Sequence, residues 1–357
     1  MGIFQKERDL NRSPDRVELV VDGSFFRLKS EEVLVRLDQF LLAHLHWRSR
    51  TSIQALIREG QVDVDAAAPD QAQGSGTPSV ERRPGRKLRH GSRVVVHIPP
   101  HLRLPEPEGD VSPVQELYAE PGVLVVDKPP HVPVHPSGRH VLDTMIQRVH
   151  AHCARAMEEL GEAPRLCHRL DRETSGVLLI GTRPRHHRSL RKQFERHGVR
   201  KFYQALVWGA LAGEEGSIRW PIGPDRHSPV HLKMTVTPDG QECRTDWKVL
   251  RRLDGYTLVE CELFTGRQHQ IRVHLAALGH PVVGDKLYGP DELLFLRAAE
   301  GTLDEADLRL LELDRHALHH HRLIFESPNH HESVTVESPL AADLQAFMDS
   351  LSCGSQA

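Results

Sequence analysis

Beyond residue 114 the chain writes one short apolar run after another, and this constrains its fold more than any other feature. The runs are "GVLVVDKP" (122–129), "GVLLIGT" (176–182), "KFYQALVWG" (201–209), "CRTDWKVL" (243–250) and "YTLVECELF" (256–264). Each is four to nine residues long, rich in β-branched or aromatic side chains and bounded by Gly, Pro or charge, so each reads as a strand. Only three helical patterns lie among them. Ile146, Val149, Cys153, Ala156 and Leu160 repeat at 3,4,3,4 spacing, Pro184 opens a helix through about His197, and "RQHQIRVHLAALG" turns Ile271, Leu275 and Leu278 inward before Gly279 closes it. Strands outnumber helices and do not alternate strictly with them. The expectation is an α+β domain with a mixed, largely antiparallel sheet flanked by helices and loops.

A chain of 357 residues exceeds one ordinary domain, and the first 113 residues have a character of their own. Leu37, Phe40, Leu41, His44 and Leu45 mark one amphipathic helix. "RTSIQALIREG" marks a second, with Ile53, Leu56 and Ile57 inward and Gly60 as its stop. "QVDVD" and "SRVVVHIP" add strands, and Arg36, Arg48, Arg50 and Arg58 share the polar face of the helix pair. Between the strands, residues 66–90 hold no period. Their first part reads as a flexible loop and their second, with Arg82, Arg83, Arg86, Lys87 and Arg89, as a basic arm. Residues 105–113, dominated by Pro and Glu, read as a linker.

Bulk charge names no partner, because 46 basic and 49 acidic residues leave a formal net charge of −3; a nucleic-acid footprint has to be local. The five cysteines (153, 167, 243, 261, 353) form no CxxC pair, which argues against a structural zinc site and against a disulfide framework, and fits a reducing cytoplasm. The start of the chain has no signal-peptide pattern, and no window approaches the roughly 18 apolar residues of a membrane span. Among the 25 histidines, the runs 186–187, 319–321 and 330–331 raise the question of a metal. Adjacent histidines on one element diverge whereas a metal needs converging ligands, so these read as solvated, phosphate-facing side chains.

The local footprint lies between Arg165 and Tyr203, where eleven basic residues face three acidic ones, a net of +8. Such an imbalance within a near-neutral chain favours a polyanion. Inside it stands "CHRLDRETSGVLL" (167–179), with Asp171 between Arg169 and Arg172, just before a Thr-Ser-Gly turn and a buried run. Guanidiniums nearby keep a carboxylate ionised, which suits a nucleophile or an electrostatic stabiliser and not a general acid. A structural ion pair fits the same residues equally well.

The wider pattern resembles a known family. "HRLDRETSG" is similar to the signature of the RluA-type pseudouridine synthases, "DKPPHVPVHP" (127–136) to their first motif, "KFYQALVWG" to their tyrosine strand, and "TGRQHQIRVHLAALGHPVVGDKLYG" (265–289) to their third motif. "RHALHHHRLIF" follows in the expected order. The amino-terminal helix pair and strands resemble the S-four-type RNA-binding domain that many members carry. The resemblance implies an isomerase that converts uridine in RNA to pseudouridine and needs no cofactor and no metal. It implies an S-four-type domain at 17–104, a linker at 105–113 and a catalytic domain at 114–350 with an acidic insertion at 291–314.

By matched position, the resemblance makes Asp171 the essential carboxylate, Arg272 its partner, and Tyr203 the ring that stacks on the target uracil. It implies substrate contacts for Lys128 and His135 of the first motif, for His168, Arg169, Arg172 and Thr174 of the second, and for Arg267, His269, Gln270, Ile271 and Leu275 of the third. Backbone phosphates would fall to Arg36, Arg50, Arg58, Arg188, Arg191, Lys192 and Lys201. Attack on ribose C1′, attack on uracil C6 and elimination to a glycal all remain open for Asp171. The partner expected is ribosomal RNA ahead of transfer RNA, for a cytoplasmic monomer without a membrane or a nucleotide cofactor.

Pro130-His131 departs from the family pattern, which often has a small residue and Gly there. The insertion at 291–314 holds eight acidic residues against two arginines, so it should face away from RNA. Two other classes compete. A non-catalytic RNA-binding or ribosome-assembly factor on the same fold would lack Asp171, Tyr203 or Arg272, and all three are present. A metal-dependent nuclease would need carboxylates clustered near the histidines, and none are.

Overall fold

A computed structural model describes residues 15–21, 35–45, 50–67, 74, 76–99, 112–136 and 143–353. Arg48, most of the 105–113 linker and part of the 66–90 loop lie outside them. The chain folds as two compact units, residues 1–113 with 135–164, and residues 114–134 with 165–357.

The first unit contains β1 (Arg16–Val20), β2 (Val35–Arg36), α1 (Leu37–His44), α2 (Arg50–Arg58), β3 (Val62–Asp65), β4 (Ser79–Val80), β5 (Lys87–Leu88) and β6 (Arg93–His97). An antiparallel sheet in the order β1-β6-β3-β4 packs Val17, Leu19, Val62, Val94 and Val96 against Leu37, Phe40, Leu41, Ile53, Leu56 and Ile57 of the helix pair. β1 has no counterpart among the sequence expectations. The second part of the loop, read as a basic arm, is a paired turn in the structure. Leu88 is fully buried, β5 pairs with β2, and the carbonyls of Pro84 and Arg86 accept the first free N–H groups of α1, from Asp38 and Leu37. The same unit includes α3 (Met145–His152) and α4 (Ala154–Leu160). The single helix expected over 146–160 breaks at Cys153, whose ψ of 9° leaves the helical range, and no residue of α4 is buried.

The second unit is built on a ten-stranded sheet. Its strands are β7 (Gln115–Glu120), β8 (Val123–Lys128), β9 (Arg165–Leu166), β10 (Ser175–Gly181), β11 (Arg200–Trp208), β12 (Glu215–Ile218), β15 (Thr245–Leu253), β16 (Tyr256–Leu263), β17 (Leu318–Glu326) and β18 (Ser333–Glu337). The main path runs β12-β15-β16-β11-β17-β10-β8-β7, with β9 on β10 and β18 on β17. Every described pairing in it is antiparallel except β10 with β17, so the architecture is α+β with a mixed, largely antiparallel sheet. All seven residues of β10 are buried, as expected of a strand covered on both faces. Around the sheet lie the hairpin β13 (Ile222–Pro224) and β14 (Met234–Val236), and the helices α5 (Pro184–Glu195), α6 (Gln270–Ala277), α7 (Leu293–Glu300), α8 (Glu305–Leu311) and α9 (Ala342–Cys353). The acidic insertion is therefore two helices, tied by Arg297 to Asp291 and Asp307.

The histidine runs at 186–187 and 319–321 are not solvated. His186, His319 and His320 are 3%, 1% and 0% exposed, because β17 is an inner strand of the sheet and α5 packs on it. Both ring nitrogens of His319 are partnered, by Ser175 Oγ and the Ser338 carbonyl, while His320 meets the Val177 carbonyl through Nδ1 and His186 meets Asn329 through Nε2, each with its second ring nitrogen buried and unpaired among the described residues. Among the described residues no group of three His, Cys, Asp or Glu side chains could hold a metal ion, and no helix is long and apolar enough to cross a membrane.

Candidate active site

Asp171 sits in the turn that feeds β10, where the Thr174 N–H donates to the Asp171 carbonyl at 3.2 Å. Its flanking arginines point elsewhere. Arg169 is exposed at the rim of a cavity, and Arg172 lies 3.6 Å from Glu173. The counter-ion comes from the third motif, with Arg272 Nη1 on α6 donating to Asp171 Oδ2 at 3.0 Å. Arg272 is itself gripped by Asp285, through Nε to Oδ2 at 2.6 Å and Nη2 to Oδ1 at 2.8 Å. Asp285 Oδ1 also accepts the N–H groups of Leu287 and Tyr288. One guanidinium thus serves two carboxylates, one fully buried and one 25% exposed. Burial pushes the Asp171 carboxyl up, but the charge and hydrogen bond of Arg272, together with His269 and His316, more than offset it and hold the group below the ordinary carboxylate value. Asp285, equally opposed by burial, is held far lower by the same guanidinium and its two bonds.

Asp171 opens onto a cavity of about 650 Å³. Its walls include Leu170, Tyr203, Leu263, His269, Ile271 and Leu318, with Arg169, Arg191, Lys201 and Arg267 also lining it. Apolar side chains suited to a planar base thus stand among many charged and polar ones suited to its sugar and phosphates. Tyr203 is 6% exposed, and its ring stacks on His320, centroids 4.3 Å apart and planes 14° apart. Burial, and secondarily Asp171, push its phenol well above the ordinary range, so it stays protonated at neutral pH. Burial lowers Lys201 to about 8.

Several residues expected to touch substrate are occupied in holding the site. Lys128 is fully buried and donates to the carbonyls of Pro129, Val132 and Arg172 at 2.7, 2.8 and 2.9 Å. It clamps the Pro130-His131 loop to the residue after Asp171. Gln270 accepts from Thr265 Oγ1 and the Arg267 N–H, and donates to the Arg244 carbonyl and Thr245 Oγ1, which leaves its amide fully engaged. His168 accepts the Leu179 N–H at 3.0 Å and stacks on Phe194, and burial lowers it to about 3. Thr174 Oγ1 meets His316 Nε2 at 2.8 Å. Leu275 is fully buried and does not line the cavity, because its place on α6 turns it into the core; Leu263 and Leu318 line the wall with Ile271. His135 is exposed and belongs to the first unit.

Sequence reasoning missed the support behind the turn. Arg315, fully buried, donates to the Glu173 carbonyl while its Nε and Nη2 bind Asp343 on α9. Lys286 donates to Glu173 Oε1 at 3.0 Å and to the Asp314 carbonyl. The only signal for Asp285 and Lys286 was their place in "GDKLYG", at the end of the third motif.

Each unit carries an exposed basic surface. On α5, Arg188, Arg191 and Lys192 are exposed, Arg191 3.3 Å from Glu195. In the first unit, buried Asp38 collects Arg36 at 3.0 Å, Arg50 at 3.4 Å and Gln54 at 3.0 Å, and Arg58 reaches Gln54 at 3.3 Å. Arg36 and Arg50 keep 45% and 58% of their side chains exposed, so the cluster is ordered yet open to an anion.

Comparison with known proteins agrees with this geometry. Residues 122–277 match the family described as RNA pseudouridylate synthase. An uncharacterized RNA pseudouridine synthase of Aquifex aeolicus is 37% identical over 284 residues, 76% of this chain and 83% of that protein. The ribosomal large subunit pseudouridine synthase D of Nitrosomonas europaea is 31% identical over 89% of this chain and 84% of its own length. Among solved structures, human RNA Pseudouridylate Synthase Domain Containing 1 superposes with a TM-score of 0.53 at 26% identity, covering 70% of this chain and 98% of that one. With an arginine-held carboxylate at the wall of a cavity that has room for a nucleotide, and with relatives above 30% identity along most of its length, this chain belongs to the RluA-type RNA pseudouridine synthases, isomerases that act on RNA.

Proposed function

We propose that this enzyme isomerises specific uridines of large-subunit ribosomal RNA, with Asp171 as its essential carboxylate and transfer RNA as the second candidate substrate. The observation that carries the reading is the Asp285–Arg272–Asp171 chain at the cavity wall, which keeps an ionised carboxylate in place. The name of the Nitrosomonas relative supports the ribosomal substrate. The target uridine leaves its stack, at a cost of a few kcal/mol, and enters the cavity. Arg169 at the rim fills the position it vacates. Tyr203, braced by His320, stacks on the uracil as a neutral ring, and Ile271 closes the other wall. Arg188, Arg191 and Lys192 hold backbone phosphates, with Lys201 at the cavity. Arg36, Arg50 and Arg58 do so from an S-four-type module.

The test maps pseudouridines at nucleotide resolution in ribosomal and transfer RNA from cells lacking the protein, complemented with wild type or Asp171→Ala. Sites in large-subunit ribosomal RNA are expected to vanish and to return with wild type alone. Loss confined to transfer RNA overturns the substrate assignment, and restoration by Asp171→Ala overturns the role of the carboxylate.

A further inference from the structure

The cavity holds a second polar group whose orientation the surrounding hydrogen bonds determine. His269 begins the third-motif helix in the left-handed region, at φ 56° and ψ 19°, a conformation that costs a non-glycine residue about 1 kcal/mol or more. The fold retains it there with its ring against Tyr288, Nδ1 being 2.8 Å from the phenol oxygen. That oxygen already accepts the Met234 N–H at 3.0 Å. With that acceptor position filled, the phenol's single proton is best placed to go to His269 Nδ1, which puts the proton of a neutral imidazole on Nε2. Nε2 lies 4.0 Å from Asp171 Oδ2, too far for a hydrogen bond between them and near enough to face the same reacting atoms. Burial lowers His269 to about 4 and pushes Tyr288 well up, so both are neutral at working pH.

Resting on the function proposed above, we infer that His269 is a catalytic residue that donates an Nε2–H hydrogen bond to the departing uracil, and that Tyr288 is the positioning residue that fixes its tautomer. In the routes where the glycosidic bond breaks first, the C1′–N1 pair leaves with the uracil as an anion spread over N1, O2 and O4. Ribose C1′ is then bonded to the Asp171 carboxylate, or the sugar loses its 2′ proton to give a glycal. C5 later bonds C1′ as the C1′–Asp171 ester bond breaks, or, in the glycal route, as C2′ takes its proton back from Asp171; C5 then loses its proton and N1 gains one. A neutral N–H donor stabilises the anion without surrendering a proton, whereas an imidazolium about 4 Å from Asp171 would pair with that carboxylate and blunt it as a nucleophile or base. This is electrostatic stabilisation of charge that develops only in the transition state.

The experiment compares single-turnover glycosidic cleavage by wild type, His269→Leu, His269→Gln and Tyr288→Phe on the mapped RNA fragment, carrying uridine or 5-fluorouridine at the target. Fluorine makes the departing uracil a weaker base that needs less help. His269→Leu is expected to slow uridine by about 10²- to 10³-fold with little change in RNA affinity, the scale of losing one such donor. It should slow 5-fluorouridine at least tenfold less, and His269→Gln should recover part of the rate through its amide N–H. In the free protein, ¹⁵N spectra of labelled histidine should show the His269 proton on Nε2 in wild type and a mixture of tautomers in Tyr288→Phe. Equal losses on the two substrates, or a proton on Nδ1 in wild type, overturn the inference. Wild type inert on every RNA instead overturns the function on which it rests, and the spectra still decide the tautomer.

Discussion

Removing the charge of Asp285 tests whether Arg272 is fixed from behind. In Asp285→Asn the side-chain oxygen can stay at the Oδ1 position and still accept from Arg272 Nη2, Leu287 and Tyr288. The amide nitrogen then faces the Arg272 Nε–H, where Oδ2 accepted at 2.6 Å. One charge-assisted bond is lost, worth about 1.5–3 kcal/mol. A guanidinium only 7% exposed also keeps one counter-ion where it had two, which brings the cost to the ~3–5 kcal/mol typical of a broken buried pair. Asp171→Asn takes the other counter-ion from the same guanidinium, but through one bond at a carboxylate that is 25% exposed, so its cost is smaller, about 1 kcal/mol. Urea denaturation followed by the fluorescence of Trp208, Trp220 and Trp247 reads this difference. With a slope of about 2–3 kcal/mol per M, the Asp285→Asn midpoint should fall by about 1–2 M while the Asp171→Asn midpoint moves little. Because Asp285 is held far below its unfolded value of 3.8, its stabilisation is complete above that pH and disappears only as pH falls through the folded value. Wild type and variant should therefore converge in strong acid. Equal midpoint shifts for the two variants, or a gap that persists into strong acid, refute the clamp.

Other outcomes follow from the same contacts. Lys128→Met leaves three carbonyls without their donor and should cost about 3 kcal/mol in thermal unfolding with RNA affinity unchanged; lost affinity at unchanged stability would return Lys128 to the substrate. Lys201, charged below about 8, should make RNA binding weaken between pH 7 and 9, and Lys201→Met should flatten that part of the profile. An unchanged profile in the variant removes Lys201 from the RNA. Arg50→Ala and Arg58→Ala should each reduce the slope of log affinity against log salt by about 0.7–0.9, and unaltered slopes would take the helix pair off the phosphates.

The strands that carry apolar runs were legible in the sequence, because β8, β10, β11 and β16 each bury a stretch of Val, Leu, Ile or aromatic residues. β17 was not. "LHHHRLIFE" reads as polar, and only the fold supplies Ser175, Ser338 and Val177 as partners that let its histidines sit inside. Resemblance picked out Asp171, Tyr203 and Arg272. It could not distinguish side chains that face the cavity from those that brace it, because Lys128, Gln270 and His168 are polar residues in the same motifs whose donors and acceptors are taken up by backbone from elsewhere. Asp285 escaped notice for the converse reason, since its importance lies in a partner thirteen positions earlier.

The place of β17 in the sheet has a consequence for the chain as it is made. β10 and β11 are close in sequence but not neighbours, and the strand between them begins at residue 318, more than a hundred residues after β11 ends. During synthesis the two therefore emerge as separate open edges, each lined with buried-type residues such as Val177, Leu179, Ala205 and Val207. Such edges pair readily with other chains, and non-local closure of this kind is slow. The nascent enzyme is most prone to aggregation while residues 209–317 are being added, and that hazard ends when the histidine-rich strand slides into the gap.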